Sequence, residues 1–312
     1  MGLKRFICRL PDRGLKESAH TLHEWVARKT LTDGFSDETV YDREWDVLVI
    51  LDACRVDLFA EIADEYEWLP TAKYINQTAI DSVAGSSKEW MERTFGRTDP
   101  AELEATAYIT GNPFSSQVLD AADFGLLDEV WRYAWDDDVG SIRPCPLVDR
   151  AVQAGRDGDY DRIIVHMMQP HAPFLGNDEI HAGFRPDDWG SPEAVRDPDQ
   201  QGLDVWHRIR RGNLERDSVW NAYQRNLQIA LESVEKLRQN MDGQLVLTAD
   251  HGNALGEHGV WGHPDVPVKG IREVPWVAVD ATDTGEYEPK VEPTTDQSEI
   301  SIEDRLTALG YK

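Results

Sequence analysis

The chain has 312 residues, enough to bury a large core, and the length suits one large α/β domain or roughly two smaller ones. Its 58 Asp plus Glu outnumber 32 Lys plus Arg to give a net charge of −26, a field that disfavours nucleic acid and anionic membrane surfaces as partners. No apolar run approaches a membrane span, and Cys8, Cys54 and Cys145 are widely spaced with no CxxC, which argues against a disulfide framework or a thiolate zinc site.

The first ten residues, Met1 to Leu10, carry charges but no apolar core of signal-peptide length, so a cytoplasmic location is the default expectation. The acidic residues are spread along the whole length. With modest lysine content this suggests adaptation to high salt, as in an acidic proteome, where screening removes self-repulsion. An ordinary acidic enzyme is the alternative. An anionic small-molecule substrate would then require a local island of positive charge, supplied by a metal, histidines or a few arginines.

Apolar positions Leu15, Ala19, Leu22, Trp25, Val26 and Leu31 predict an amphipathic helix inside an N-terminal segment of about residues 1–45. Val47-Leu-Val-Ile-Leu51 is a short, continuous run rich in β-branched residues, the pattern of a parallel strand buried on both faces. It ends at Asp52, followed by a helix expected to reach about Trp68. Asp52 has two readings, a structural helix N-cap or a metal ligand at a strand end. Arg55 is placed to pair with Asp52 or with an anionic substrate.

Gly85-Ser86-Ser87 precedes a helix that opens near Glu89 and Trp90. Ser86 with Glu89 fits a capping box, and the same helix start suits an anion. The cap is the leading reading of the residues alone, and it leaves room for one serine to cap while its neighbour serves a site. Residues 105–113 read as a strand with a turn, 118–146 as an excursion from the sheet, and 148–154 as a short helix. The run Arg162-Ile-Ile-Val-His-Met-Met168 is another buried strand, and it leads to His171 between Pro170 and Pro173, which stiffen the loop. Residues 176–215 are rich in Gly, Pro and Asp and read as a loop-rich insertion bordering the site.

The longest helical pattern runs from Ser218 to Asn240, ahead of the strand Leu245-Val-Leu247. That strand opens the most informative stretch, Leu247-Thr-Ala-Asp-His-Gly-Asn-Ala-Leu-Gly-Glu-His-Gly-Val-Trp-Gly-His-Pro264. It places Asp250 and His251 at a strand end, in a segment too glycine-rich for a helix, with His258 and His263 close behind. A carboxylate and an imidazole in that setting suit a divalent metal, whereas an isolated Asp-His-Gly is more often simply a turn. A further strand spans 273–279, residues 281–300 are acidic and exposed, and 302–309 form a closing helix. Neither the Rossmann glycine fingerprint nor a Walker A loop occurs.

Strands ending at Asp52, His171 and Asp250-His251, alternating with helices, predict a doubly wound, mostly parallel α/β sheet with helices on both faces, built as one domain over 1–312. Five segments, "VLVILDACRVDLF", "GSSKEW", "MMQPHAPF", "VLTADHGNALGEHGVWGH" and "IEDRLTALGY", resemble the alkaline phosphatase and sulfatase superfamily in content and order. The resemblance implies a metal-dependent hydrolase of phosphate or sulfate esters acting through a covalent serine. It assigns Asp52, Asp250 and His251 to the metal, Ser87 or Ser86 to nucleophilic attack, and His171 and His263 to the transferred group or leaving oxygen. His258 and Arg55 are candidate substrate contacts, and the metal is one of Zn, Mn, Mg or Ca.

Two departures narrow it. The formylglycine motif of many sulfatases is replaced by Gly-Ser-Ser-Lys-Glu-Trp, and no Asp-x-x-x-His pair for a second metal is found, which favours a single ion. A transferase using an alcohol acceptor, or a non-catalytic relative, remains as the alternative. The sequence carries no signal of oligomeric state.

Overall fold

The computed structural model describes residues 34–176, 180, 205–293 and 302–309. The helix expected over 14–31 lies outside them, as does most of the 176–215 insertion. Six strands form the central sheet: β1 (Val47–Leu51), β2 (Thr106–Thr110), β3 (Leu126–Glu129), β4 (Arg162–Met167), β5 (Gly243–Thr248) and β6 (Val277–Ala281). Their spatial order is β6-β5-β1-β4-β2-β3, with β1 through β5 parallel and β6 antiparallel to β5.

The apolar run of β1 explains its central place. All five residues are buried, and alternation sends them to opposite faces. Val47, Val49 and Leu51 join a core built with helices α1 (Val56–Ala63), α3 (Pro144–Asp157) and α4 (Arg216–Arg238). Leu48 and Ile50 join the opposite core, where Trp90, Met91 and Phe95 of α2 (Ser87–Phe95) pack. Each such aliphatic side chain contributes about 1.5–3 kcal/mol by leaving water. The sheet is therefore sandwiched by helices on both faces, the doubly wound α/β arrangement.

The boundaries differ from the sequence expectation in four places. Helix α1 stops at Ala63 rather than near Trp68, because Asp64, Glu65 and Glu67 put negative charge at the negative end of the helix dipole. Helix α3 starts earlier, at Pro144, whose missing N–H is harmless in the first turn. Residues 126–129, expected in an excursion, are the edge strand β3; its buried Asp128 is matched by Arg150 of α3 at 2.7 Å. The strand expected over 273–279 is two. Glu273–Val274 pairs with Ile80–Asp81, and β6 begins at Val277, since Pro275 between them cannot donate to a ladder.

Residues Val205–Arg210, inside the expected insertion, form a helix whose Trp206 is buried against Phe174 and Tyr223. None of the described helices is long and apolar enough to cross a membrane.

Candidate metal centre

The carboxyl ends of four parallel strands deliver the polar residues of one buried site, the place where open α/β sheets bind ligands. Asp52 follows β1, Asn112 follows β2, His171 follows β4, and Asp250 with His251 follow β5. Asp52, Asn112, Asp250 and His251 are all fully buried, and so is Ser87, the first residue of α2. Asp52 does not cap a helix; the N-cap of α1 is Arg55.

The hydrogen bonds orient each carboxylate. Oδ1 of Asp250 accepts the backbone N–H groups of Ala53 (3.0 Å) and His251 (2.9 Å), while its Oδ2 has no hydrogen-bond partner among the described residues. Oδ2 of Asp52 accepts Nδ2 of Asn112 (3.0 Å) and the hydroxyl of Ser87 (3.4 Å), and its Oδ1 is likewise left over. His251 places Nδ1 against the Gly252 carbonyl at 2.8 Å, so that nitrogen carries the proton and Nε2 presents a lone pair. Nε2 lies 3.8 Å from Oδ1 of Asp52 and 3.7 Å from Oδ2 of Asp250.

A divalent metal fits this arrangement. One ligand atom from each of Asp52, Asp250 and His251 lies within 4.8 Å of the other two. The two orphaned carboxylate oxygens and the imidazole lone pair are the donors a metal requires, and without one they would be costly to bury. Two carboxylate oxygens and one nitrogen suit Zn or Mn better than Ca, which takes six to eight oxygens. Electrostatics agree. Burial and the Asp250 charge push Asp52 well above the usual carboxylate range in the metal-free protein. For Asp250 burial acts in the same direction, but the neighbouring His251 and His166 and the Ala53 N–H outweigh it and hold the carboxyl below that range.

Two further imidazoles close the site. Nε2 of His171 faces Nε2 of His263 at 3.3 Å, and the His263 ring lies against His251 with centroids 4.6 Å apart, tilted by 38°. Burial and the neighbouring His251 and His171 push His263 well below the ordinary histidine value, which favours a neutral ring. His171 is held from behind. Its Nδ1 contacts the Ala172 carbonyl at 2.5 Å, and its backbone N–H donates to the Asp52 carbonyl at 3.0 Å. Buried Asn226 of α4 donates to the carbonyls of Pro170 (3.1 Å) and His171 (2.9 Å) and accepts the Leu175 N–H (3.1 Å). His263 follows a two-stranded hairpin, Ala254–Leu255 with Trp261–Gly262. Gly262 has φ +72°, and a Cβ there would meet Trp206 at 3.1 Å.

The remaining expected residues are placed differently. Ser86 is the N-cap of α2 by position, yet its side chain makes no capping bond, and Glu89 pairs with Arg93 at 2.7 Å instead of closing a capping box. Arg55, expected to meet an anionic substrate, is buried with its guanidinium on Asp57 (2.6 Å), Glu257 (2.8 Å) and the Asn253 carbonyl. Those contacts pin the glycine-rich loop to the start of α1. His258 is exposed in a left-handed conformation (φ +50°) within the turn Glu257–Gly259.

Three participants were not singled out from the sequence. Asn112, in Gly-Asn-Pro after β2, carries the same strand-end signal as Asp52. His166, the one polar residue among the buried positions of β4, sits 3.6 Å from Oδ2 of Asp250, and Tyr108 of β2 contacts its Nδ1 at 2.7 Å.

No protein-family model and no curated protein sequence matches the chain. Solved structures do resemble it. The soluble domain of lipooligosaccharide phosphoethanolamine transferase A from Neisseria meningitidis is 14% identical, with 76% of each chain covered and a TM-score of 0.47. The periplasmic domain of EptC from Escherichia coli, in complex with Zn, is 14% identical over 76% of this chain and 72% of that one, with a TM-score of 0.44. A protein of the alkaline phosphatase superfamily from Vibrio parahaemolyticus is 12% identical over 96% of this chain and 76% of that one, with a TM-score of 0.39.

Proposed function

We propose that this chain is a divalent-metal-dependent hydrolase of phosphate or sulfate esters, of the alkaline phosphatase and sulfatase type, acting on a small anionic substrate through a covalent intermediate on Ser87. One observation carries the proposal. The Ser87 hydroxyl, fully buried at the start of α2, lies 3.4 Å from Asp52 and 3.5 Å from His251, two members of the three-residue metal group.

Asp52, Asp250 and His251 would hold the ion, which supplies charge neutralisation for the transferred group and makes a serine hydroxyl a competent nucleophile near neutral pH. The protein's own groups do the rest. Ser87 Oγ forms a bond to the phosphorus or sulfur as the ester oxygen departs. Its hydroxyl proton passes to Oδ2 of Asp52, the atom to which it already donates. The first-turn N–H groups of α2 favour the anionic group. A single proton shared between the facing Nε2 atoms of His171 and His263, which gives the pair one positive charge while leaving one ring neutral, passes to the leaving oxygen and is restored by the attacking water in the next step. Water then releases the group from Ser87, whose hydroxyl regains its proton from Asp52.

The test is turnover of aryl phosphate monoester, phosphate diester and aryl sulfate substrates by metal-stripped protein given Zn, Mn, Mg or Ca in turn. Metal-dependent release of phenol from one ester supports the proposal and identifies the ester class. Turnover only with an added alcohol acceptor reassigns the chain to group transfer. Failure to bind any of the metals refutes the proposed centre.

A further inference from the structure

Building on the metal centre proposed above, we infer that His166 is a positioning residue for it: Tyr108 and His166 form a proton-ordered chain, Tyr O–H to Nδ1 and Nε2–H toward Oδ2 of Asp250, that holds the oxygen Asp250 offers to the metal. All three side chains are fully buried. Tyr108 comes from β2, His166 from β4 and Asp250 from the end of β5, so the chain runs beneath the carboxyl edge of the sheet.

The proton order follows from chemistry. Nδ1 of His166 lies 2.7 Å from the Tyr108 hydroxyl, and Nε2 lies 3.6 Å from Oδ2 of Asp250. A neutral imidazole carries one ring proton. With that proton on Nδ1, the Nε2 lone pair would face a carboxylate oxygen across a site with no water-like dielectric, and both atoms would be repelled. With the proton on Nε2, Tyr108 donates to Nδ1 and His166 offers Asp250 a donor. Burial pushes the Tyr108 hydroxyl well above its ordinary range, so it keeps the proton to donate.

The second order also accounts for two orphans together. Nε2 of His166 and Oδ2 of Asp250 have no hydrogen-bond partner among the described residues, and they face each other. Among the described residues the Asp250 side chain is otherwise hydrogen-bonded only through Oδ1, by the Ala53 and His251 N–H groups. Rotation about that anchor would carry Oδ2 away from His251, which it faces at 3.7 Å. A donor on its far side restrains that rotation. The His166 ring is itself braced by Trp90 of α2, centroids 5.8 Å apart at 81°. Partners behind a ligand of this kind change metal affinity by about 10–100-fold when removed.

The test measures the affinity of the full chain for Zn alone, by competition with a chelating dye, for wild type, Tyr108→Phe, His166→Phe and the double variant. Circular dichroism checks that each is folded. Each single variant is expected to bind Zn about 10–100-fold more weakly. The double variant should bind no more weakly than His166→Phe, because Tyr108 acts only through His166. Nitrogen NMR of the metal-free wild type should place the His166 proton on Nε2. Wild-type affinity in both single variants, additive losses in the double, or a proton on Nδ1 overturns the inference while leaving the metal centre standing. Absence of Zn binding in the wild type removes the centre and this inference with it. If His166→Phe does not fold, Tyr108→Phe, which deletes a single oxygen, and the NMR assignment still decide the matter.

Discussion

The hydroxyl of Ser87 lies 3.5 Å from Nε2 of His251, a residue 164 positions later in the chain. That separation makes the site a product of the sheet: α2 starts on one face, and the carboxyl end of β5 brings the imidazole over it. Ser86, one residue earlier, is only partly buried and in extended conformation, and no hydrogen bond links its hydroxyl to Asp52 or His251 among the described residues. Replacing Ser87 by Ala should therefore lower turnover by about three orders of magnitude or more while leaving metal content unchanged. Ser86→Ala should retain most activity. Turnover by Ser87→Ala at the wild-type rate sinks the covalent assignment.

Metal binding should acquire a pH dependence from Asp52. Its carboxyl is raised in the metal-free fold, chiefly by burial and then by the Asp250 charge. A raised acid contributes stability that is fully present below its unfolded value and lost as pH rises through its folded value. Asp250 is depressed, so its contribution is lost only when pH falls below the usual carboxylate range. Above the usual carboxylate range the trend from this pair belongs to Asp52, and the metal-free protein loses stability as pH rises. An ion requires the ionised carboxylate and removes that penalty. The gain in melting temperature on adding Zn should thus grow with pH, with protons released on binding. Scanning calorimetry with and without Zn at several pH values checks this, and a gain that shrinks toward alkaline pH contradicts it.

Asn226 satisfies three backbone groups of the loop that carries His171 at 2.9–3.1 Å, with the Pro173 carbonyl a fourth, longer contact at 3.5 Å. Asn226→Ala leaves the Leu175 N–H and two carbonyls buried without their partner, each costing about 1–3 kcal/mol before relaxation. We expect a fall of several degrees in melting temperature and a drop in kcat larger than the change in KM. Unchanged kcat in a folded Asn226→Ala variant would show that His171 needs no such brace.

Gly262 precedes His263 and holds φ +72° with Trp206 packed against it. An alanine there meets the indole at 3.1 Å and must also adopt the left-handed conformation, which costs about 1–2 kcal/mol on its own. Gly262→Ala is expected to destabilise the protein and to weaken leaving-group protonation. Poor leaving groups should then suffer more than good ones. An equal loss across a series of substituted phenyl esters would place the damage elsewhere.

How much of this was legible in the sequence depended on what each residue's signal was made of. The runs Val47-Leu-Val-Ile-Leu51 and Leu245-Val-Leu247 identified strands buried on both faces, and a polar residue just beyond such a run must lie at the carboxyl edge of the sheet. The place of Asp52, Asp250, His251 and His171 at that edge was readable for that reason, and the doubly wound class came with it. Asn112 had the same signal behind a less apolar strand and passed as a turn residue.

Other features were decided only by the tertiary structure. Which of two adjacent serines faces Asp52 depends on the rotation of α2 about its axis, set by Trp90, Met91 and Phe95 packing on the sheet. Arg55 is committed to Asp57 and Glu257, and the second partner arrives from a loop two hundred residues away, beyond any local pattern. His166 read as one polar residue in an apolar strand. Its relation to Tyr108 and Asp250 exists because β4 pairs with β2 on one side and is separated from β5 by β1 alone on the other, and strand order is a property of the packed layers rather than of any one segment.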